Sequence, residues 1–194
     1  GLLEYEPGSY MFAYYESHGR SESTDIKIRR TNYLGEKIWE YQYGTEQNEV
    51  CLSMAKLQNG DVVIVGYSTK DENPRRGLLL RIDKNGREVW FNLVETGGST
   101  VFRDVIPTMD GGFALTGNMH DRIIMAKYRA DNSCEWMQTF GDQPCFGISL
   151  VQLDDGSLVA VGCTGTTTRG GGSTEAIAVS TDAEGNEQWC QFIS

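Results

Sequence analysis

Short apolar runs separated by glycine-containing turns are the dominant pattern along this chain. The runs Val62 to Gly66, Phe113 to Gly117 and Leu158 to Gly162 each follow directly on an Asn-Gly or Asp-Gly turn. A continuous apolar run of this length, unlike strict alternation, predicts a β-strand that is covered on both faces. No stretch has a sustained helical period, so the pattern predicts an all-β protein with almost no helix.

A second phrase recurs once in every copy of the pattern. A Gly or Asn in a short turn is followed four residues later by a tryptophan, and the four tryptophans are Trp39, Trp90, Trp136 and Trp189. They are spaced by roughly fifty residues, which is typical of a structural repeat. Gly and Asn fit because a tight hairpin turn needs a positive φ. We therefore predict four units, each a four-stranded meander, at about 1–44, 45–97, 98–141 and 142–194.

A sheet whose second strand is covered on both faces has to be stacked between neighbouring sheets. Sheets placed radially around an axis meet this need, so residues 1–194 are predicted to form a single β-propeller domain of four blades. The first unit has only Leu2 to Glu6 as an inner strand, and no strand follows the last tryptophan unit to be shared for ring closure. A closed four-blade ring and a segment of a longer ring both remain open. The matching phase at both ends favours closure, which would bury Tyr10, Phe12 and Tyr14 against the fourth unit.

These motifs resemble a known kind of repeat. Asp83-x-x-Gly86-x-x-x-Trp90, Lys127-Tyr128, Phe140-Gly141 and Asp110-Gly111-Gly112-Phe113 through Gly117 are similar to the repeats of bacterial β-propellers of the SBBP and delta-60 kind. The resemblance covers essentially the whole chain, and more distantly it extends to the tryptophan-docking motif of quinoprotein propellers. It implies an extracytoplasmic or cell-surface location, although a cytoplasmic one stays open. Because the shared residues form turns and packing contacts, the resemblance implies little about function.

Charge and cysteine usage exclude several classes of partner. The chain has 17 basic and 27 acidic residues, a net charge of −10, and such a surface repels nucleic acid and anionic membranes. No apolar run is long enough to span a membrane. Five scattered cysteines without a CxxC motif predict neither a disulfide framework nor a zinc site. Cys134 with Cys145 is the one pairing that adjacent units could bring together.

No motif for a metal or a cofactor stands out. The turn at Asp83-Lys84-Asn85-Gly86 lacks the further ligands of a calcium loop. The glycine-rich segment 169–174 lacks the Lys and the helix of a phosphate-binding loop. His18 and His120 are the only histidines, and both are interpreted as exposed loop residues. We therefore predict no cofactor and no metal.

Candidate binding residues follow from the predicted topology. Ser53, Asp104 and Ser149 take the same place on the inner strand, and we expect Asp104 to face the central channel because an unpaired buried carboxylate is costly. The links between second and third strands, and between units, are predicted to be long loops on one face, where binding residues commonly lie. The candidate ligand-binding residues are Arg20, Arg75, Arg76, Arg103, Asp104, His120, Asp121, Arg122 and Arg169.

The favoured function is non-enzymatic recognition or scaffolding on this long-loop face. The basic candidates on an acidic protein suit an anionic or polyhydroxyl ligand such as an acidic glycan, or a protein partner. The alternative is a glycan-active hydrolase in which Asp104, Glu49 or Asp121 supply the paired carboxylates that glycoside hydrolysis requires. A third hypothesis is an assembly protein whose open end pairs with another chain, so that both a monomer and a dimer are compatible with the sequence.

Overall fold

A computed structural model describes residues 1–17, 24–70, 74–165 and 175–193 of the chain. Its elements are all strands, and no helix occurs in the described ranges. The strands are β1 Leu2–Glu6, β2 Ser9–Ser17, β3 Thr24–Thr31, β4 Lys37–Tyr43, β5 Asn48–Lys56, β6 Val62–Thr69, β7 Arg76–Ile82, β8 Glu88–Val94, β9 Thr100–Pro107, β10 Phe113–Met119, β11 Arg122–Tyr128, β12 Cys134–Phe140, β13 Cys145–Gln152, β14 Leu158–Thr164, β15 Ala176–Thr181 and β16 Glu187–Ile193.

The strands form four antiparallel meanders. Sheet A is β1–β4, sheet B is β5–β8, sheet C is β9–β12 and sheet D is β13–β16, and strands adjacent in sequence are neighbours in each sheet. The all-β class and the four repeated sheets are thus confirmed, with the predicted apolar runs forming second strands. The chain divides into two compact units, Gly1–Val101 and Phe102–Ser194. The first holds sheets A and B, the second holds sheets C and D, and the boundary falls at the start of β9.

The tight turn between the third and fourth strands has the conformation that the sequence predicts. In sheet B, Gly86 has a φ of +82°, and in sheet C its counterpart Asn132 has a φ of +71°. The carboxylate of Asp83 accepts the backbone N–H groups of Asn85, at 2.8 Å, and of Arg87, at 2.9 Å. These bonds, that from Arg87 above all, lower the pKa of Asp83. The Asp-x-x-Gly phrase therefore encodes a hairpin turn in which the Asp carboxylate accepts hydrogen bonds from the backbone of the same turn.

The glycine at the end of an apolar run, Gly66 or Gly162, lies opposite a β-bulge in the neighbouring inner strand. The register of β5 against β6 shifts just after the pair Cys51–Gly66, and the register of β13 against β14 shifts at the equivalent place. A Cβ added to Gly66 would lie 1.8 Å from the carbonyl oxygen of Val50, and one added to Gly162 would lie 2.0 Å from that of Phe146. Bulges draw backbone this close, and only glycine leaves the room.

In the first unit, sheet A packs on sheet B. Met11, Ile26 and Ile28 of sheet A are fully buried in one cluster with apolar residues of sheet B such as Ile64 and Leu80. The inner strand β5 provides the contact, since β1, β2 and β3 all approach it. Sheet B therefore presents its inner edge and one face to sheet A.

The second unit repeats this arrangement with sheets C and D. Ala114 and Met125 of sheet C share a buried cluster with Leu158, Ala160 and Val179 of sheet D. The approach is again made through the inner strand of the second sheet, since β10 and β11 contact β13. Burial of both faces of β6 and β10 explains why their sequences are continuous apolar runs. In β14 the buried residues alternate with more exposed ones and Val161 is exposed, so the expectation of a strand covered on both faces is wrong there.

Trp39 and Trp136 each pack on the glycine turn of the other sheet in their own unit. A Cβ on Gly86 would lie 2.6 Å from the ring of Tyr41 and 3.1 Å from that of Trp39, and one on Gly185 would lie 2.5 Å from the ring of Trp136. Trp136 also donates its indole N–H to the carbonyl oxygen of Ala183 at 3.1 Å. The interpretation of the tryptophans as spacers between sheets is thus confirmed for Trp39 and Trp136.

A buried ion pair recurs beside the tryptophan. Lys127, which pairs with Trp136 across β11 and β12, lies 2.8 Å from a carboxylate oxygen of Asp110 and 3.3 Å from one of Glu135. Arg81 takes the same place in sheet B and lies 2.8 Å from Asp61. These cations tie the turn before the second strand to the third strand, so their role is structural.

Asp110 gives a testable acid dependence. Partial burial raises the pKa of its carboxyl, but hydrogen bonds from Lys127, Thr108 and the Gly112 N–H outweigh this and lower it to about 2. The ionised form therefore stabilises the fold above about pH 4, and this stabilisation is lost as the pH falls from the ordinary value of 3.8 towards 2. Because the side chain is half exposed, we expect Asp110→Asn to cost about 1 kcal/mol at pH 7.

The measurement is the urea midpoint of the wild type and the variant between pH 7 and pH 2. The stability difference should shrink to near zero at the acid end. Asp154→Asn, at an exposed position, serves as the control and should not reproduce this pH dependence. A constant difference between wild type and Asp110→Asn at all pH values would show that the carboxylate charge is not responsible.

All five cysteines are free thiols. Cys134 lies exposed at the start of β12, whereas Cys145 is buried at the start of β13, and the two are not paired. The two residues follow different kinds of turn, Cys134 a tight hairpin and Cys145 the link between sheets. Burial raises the pKa of Cys51 and of Cys145, which suppresses their thiolate forms.

Candidate functional site

A cleft of about 330 Å³ opens at the loop end of sheet B. Three links between strands line it: β4 to β5, β6 to β7, and β8 to β9. Their lining residues are Gln47, Lys70, Pro74, Arg76, Glu95, Thr96, Gly97 and Gly98. The cleft therefore lies on the face where the sequence predicts the binding loops, and it includes the predicted residue Arg76.

Arg76 is held in place by two side chains of the cleft. Its guanidinium lies 2.8 Å from a carboxylate oxygen of Glu95, and it also donates to the side-chain oxygen of Gln47. A guanidinium carries five donors in a fixed planar fork, so two such bonds orient it without exhausting its donors. Arg76 is half-buried, which makes it a fixed cation at the wall of the cleft.

The neighbouring predicted residue, Arg75, stacks on an aromatic ring. Its guanidinium carbon lies 4.4 Å from the centroid of Tyr67, a cation–π geometry. The carbonyl oxygen of Arg75 accepts the backbone N–H of Thr100 at 2.8 Å. This bond joins the start of β9 to the segment before β7 and so holds these two parts of the loop end together.

Glu49 lies buried near the start of β5, next to the loops that line the cleft. It is fully buried, and its carboxylate accepts bonds from the Thr45 hydroxyl at 2.7 Å and from the Ser68 hydroxyl at 3.0 Å. The Ser68 hydroxyl also lies 3.3 Å from the side-chain oxygen of Gln47. Glu49 is thus linked to Gln47 through the Ser68 hydroxyl. Because Glu49 is fully buried, it is poorly placed to meet a substrate.

A second carboxylate stands near Glu49. A Cβ on Gly44 would lie 2.6 Å from an oxygen of Asp25 and 2.9 Å from one of Glu49, so both carboxylates flank the bare Cα of this glycine. Asp25 also accepts a hydrogen bond from Gln42. This proximity could not be predicted from the sequence, because the two acids belong to different sheets.

In the second unit, Asp104 is paired. Its carboxylate accepts the hydroxyl of Ser149 at 2.9 Å and the backbone N–H of Leu150 at 3.2 Å, and one oxygen also accepts the N–H of Val105 at 3.0 Å. The alignment that placed Asp104 and Ser149 at one repeat position is matched by a direct bond between them. Asp104 therefore ties β9 to the inner edge of sheet D, a structural use that sequence reasoning did not predict.

Arg103, beside it, packs on the same strand β13. Its guanidinium carbon lies 4.8 Å from the ring centroid of Phe146. The sequence placed Arg103 on the side opposite to Asp104, and the two do reach different residues of β13.

His120, Asp121 and Arg122 do not form the long loop that the sequence predicts. Met119 pairs with Arg122, so His120 and Asp121 are the two central residues of a tight hairpin, with φ of +52° and +59°. Both angles positive describe a type I′ turn, and His and Asp are among the side chains that tolerate this region best. The prediction of a long loop here is wrong because an Asn-Gly or Asp-Gly signal is missing from the turn.

The three residues of this hairpin are exposed. The Asp121 carbonyl accepts the N–H of Cys145 at 2.8 Å, and the Arg122 guanidinium donates to the carbonyl of Gly141 at 2.8 Å. These bonds join the hairpin to the link between sheets C and D.

Several predicted residues lie outside the described ranges. They are His18, Arg20 and Arg169, together with the glycine-rich segment 169–174. Of the candidates that are described, Arg75 and Arg76 lie in the first unit, where only Arg76 lines the cleft, and the other five lie in the second. The cleft residues that the sequence analysis missed are Gln47, Lys70, Glu95 and Thr96, whose polar character alone does not separate them from other loop residues.

Among the described residues, no group of three or more His, Cys, Asp or Glu side chains is placed to hold a metal ion. The same residues contain no helix that is long and apolar enough to cross a membrane.

Comparison with known proteins adds little at this point. No family model matches the chain, and no curated protein matches it. Among solved structures, one described as the crystal structure of the eukaryotic initiation factor has a TM-score of 0.48 and 9% identity, and the match covers 100% of this chain and 55% of that one. A protein of unknown function from Bacteroides caccae has a TM-score of 0.27 and 14% identity, with 93% and 94% coverage.

This chain therefore spans about half the length of the initiation-factor chain. At these values the two structures indicate neither a function nor a family for it. The class that the structure itself defines is an all-β protein of four repeated four-stranded sheets, and the resemblance to SBBP and delta-60 repeats stays a prediction.

Proposed function

We propose that this protein is a non-enzymatic recognition module of β-propeller type, which binds an anionic or polyhydroxyl ligand such as an acidic glycan in the cleft at the loop end of sheet B. The observation that carries the proposal is the fixed cation Arg76 in the wall of that cleft, held at 2.8 Å by Glu95. The extracytoplasmic location stays a prediction.

The propeller architecture is supported by the way the sheets stack inside each unit. In both units the inner strand of the following sheet approaches the second and third strands of the preceding one, β5 in the first and β13 in the second. In both, a tryptophan of the preceding sheet covers the glycine turn of the following one. A repeated stacking rule of this kind is typical of radial blades.

The chemistry of the cleft favours an anion with several oxygens. Arg76 and Lys70 supply positive charge, and a guanidinium recognises carboxylates through two parallel bonds. Thr96 adds a hydroxyl, and Gly97 adds backbone that no side chain crowds, since a Cβ there would have no atom within 4 Å. Glu95 orients Arg76 and disfavours a ligand whose negative charge approaches its own carboxylate, which would give the site selectivity.

Calorimetric titration with an oligogalacturonate, a polyanionic glycan, tests the proposal. We expect measurable binding at low ionic strength that weakens as salt is added, because exposed charges are screened over about 10 Å at 0.1 M salt. Arg76→Gln should weaken binding by about tenfold, the usual effect of losing a charged anchor. A neutral maltohexaose should bind more weakly than the polyanion.

Arg87→Gln is the matched control. Arg87 is an exposed arginine of the same sheet, at the tight turn between β7 and β8, so this variant makes the same change in net charge away from the cleft. Equal losses in both variants would mean that the ligand responds only to overall charge, and the cleft would then not be the site. The same mixtures can be assayed for new reducing ends, whose release would favour the hydrolase hypothesis instead.

A further inference from the structure

Sheets A, B and C share a cation on their third strand. The residue that pairs with the tryptophan across the third and fourth strands is Arg30 in sheet A, Arg81 in sheet B and Lys127 in sheet C. Each forms an ion pair with a carboxylate at or beside the turn before the second strand, from Glu6, Asp61 and Asp110 respectively. The repeat therefore provides one position for a cation beside the tryptophan.

Sheet D keeps the acid of this position but not the cation. Ser180 pairs with Trp189, so a hydroxyl stands where sheet C has the ammonium of Lys127. Asp155 corresponds to Asp110, since each lies three residues before the start of its second strand. In sheet C that carboxylate lies 2.8 Å from the ammonium, whereas the same strand position in sheet D carries no charge.

A cavity of about 540 Å³ lies at this position of sheet D. Its lining includes Ser180, Asp155 and Trp189, and also Gln188, which precedes the tryptophan as Glu135 does in sheet C. All of its lining residues belong to sheet D and its turns, so the cavity lies within the second unit. The short Ser180 side chain thus leaves space where sheet C is filled by a lysine.

The Ser180 hydroxyl lacks a hydrogen-bond partner within the described part of the chain. Ser180 is only 6% exposed, and its side chain makes no hydrogen bond to another described residue. Asp155 uses one oxygen, Oδ1, for the backbone N–H of Ser157 at 3.0 Å and for the Ser157 hydroxyl at 2.5 Å. Because buried polar groups are nearly always hydrogen-bonded, a buried hydroxyl that lines a cavity indicates a polar ligand.

The charge of the cavity favours a cation. The carboxylates of Asp155, Asp182 and Glu184 line it, and its described lining residues include no lysine or arginine. Trp189, which is 40% exposed, forms part of the wall, and an indole face attracts a cation within about 6 Å. Among the described residues, these acids are not grouped as ligands of a metal ion, so an organic cation is the better match.

We infer that this cavity binds a primary alkylammonium group, whose nitrogen takes the position that the Lys127 ammonium has in sheet C. The ammonium pairs with Asp155, the Ser180 hydroxyl accepts one of its N–H groups, and its carbon chain lies along the Trp189 ring. Ammonium is favoured over guanidinium because sheet C, whose acid Asp110 has the same position as Asp155, uses a lysine. The site is separate from the cleft of sheet B and does not depend on the function proposed for it.

Nuclear magnetic resonance titration of the full chain with 1,5-diaminopentane tests the inference. The probe signal is the indole N–H of Trp189, assigned by its loss in Trp189→Phe. We expect a saturable shift with a dissociation constant of about 1 mM, because partly exposed ion pairs are weak. 1-Pentanol, which has the same carbon chain without the charge, should bind at least about tenfold more weakly.

Two substitutions act on the site in opposite ways. Ser180→Lys supplies the cation of the repeat within the chain, so it should raise the dissociation constant by more than about tenfold. Asp155→Asn removes the paired charge and should raise it by about fivefold. The dispersion of the amide spectrum shows whether each variant is folded, and Asp155→Asn tests the site even if Ser180→Lys does not fold.

Each substitution has a control with the same change in net charge. Gln143→Lys adds a lysine in the exposed link between β12 and β13, at the opposite end of β13 from the cavity. Asp154→Asn removes the exposed carboxylate next to Asp155 in sequence, which does not line the cavity. Both should change the dissociation constant by less than about twofold, since exposed charges are screened by salt.

A second titration, with lysine blocked at its backbone amino and carboxyl groups, distinguishes two sources of the ammonium. Tighter binding of the diamine would assign the site to free polyamines, and tighter binding of the blocked lysine would assign it to a lysine side chain of a protein. Absence of a saturable Trp189 shift with both amines would overturn the inference. Undiminished binding in folded Ser180→Lys or Asp155→Asn would also overturn it, as would equal losses in the control variants.

Discussion

Replacing Gly66 with alanine is expected to destabilise the protein by roughly 3 kcal/mol, the upper range for forcing atoms into a packed core. The added Cβ would lie 1.8 Å from the carbonyl oxygen of Val50 and 2.9 Å from its carbonyl carbon. These atoms are backbone, so no side-chain rotation relieves the overlap. Either the bulge after Cys51 flattens or β5 separates from β6, and both changes disturb the strand that carries the contact with sheet A.

Urea denaturation followed by tryptophan fluorescence and by far-ultraviolet circular dichroism measures this effect. Gly60→Asn is the control, because Gly60 has a φ of +88° and a Cβ there would make an ordinary contact, 3.4 Å from the Tyr5 hydroxyl. Asn tolerates this backbone region, so the control should lose about 1 kcal/mol or less. An unchanged midpoint in Gly66→Ala would show that the strands can part without cost and that the bulge is not a fixed feature.

Replacing Trp136 with alanine should cost about 3 kcal/mol, the lower end for large core aromatics, because the ring is only half-buried. The substitution removes the indole from the turn around Gly185 and leaves the carbonyl of Ala183 without its bond. It also uncovers one side of the buried cluster that sheets C and D share.

Trp189→Ala is the matched comparison, since Trp189 holds the same repeat position in sheet D but is 40% exposed. Its loss should be about 1 kcal/mol or less, within the range of surface substitutions. Equal losses in the two variants would contradict the packing contact of Trp136 and would place both rings in similar surroundings.

The repeat was predictable because short segments of the sequence encode it. Turn residues such as Gly86 and Asn132 report a positive φ directly, and the run from Val62 reports burial on both faces of one strand. Neither inference needs knowledge of a distant residue. The candidate site was predicted less well, since the sequence correctly placed Arg76 at a loop cleft but took the hairpin of His120 and Asp121 for a long loop.

Asp104 shows why the partners of a side chain could not be predicted from the sequence. Its partners Ser149 and Leu150 lie about forty-five residues away, and a carboxylate that serves an inter-sheet bond looks the same in sequence as one that awaits a ligand. Glu49 is a similar case, because Thr45 and Ser68 enclose it only once β5 and β6 have paired.

By itself, the sequence determined the all-β class, the four repeated sheets, the positions of their second strands and the turns that need glycine or asparagine. These features depend on period, propensity and φ, which are properties of short segments. Tertiary structure alone decided that the chain forms two compact units, that Asp104 and Glu49 are used internally, and that Arg76 stands in a cleft while Trp189 stays exposed. These outcomes depend on which residues come into contact between sheets. Such contacts are set by the packing of segments that are far apart in the sequence, and a local sequence pattern does not predict them.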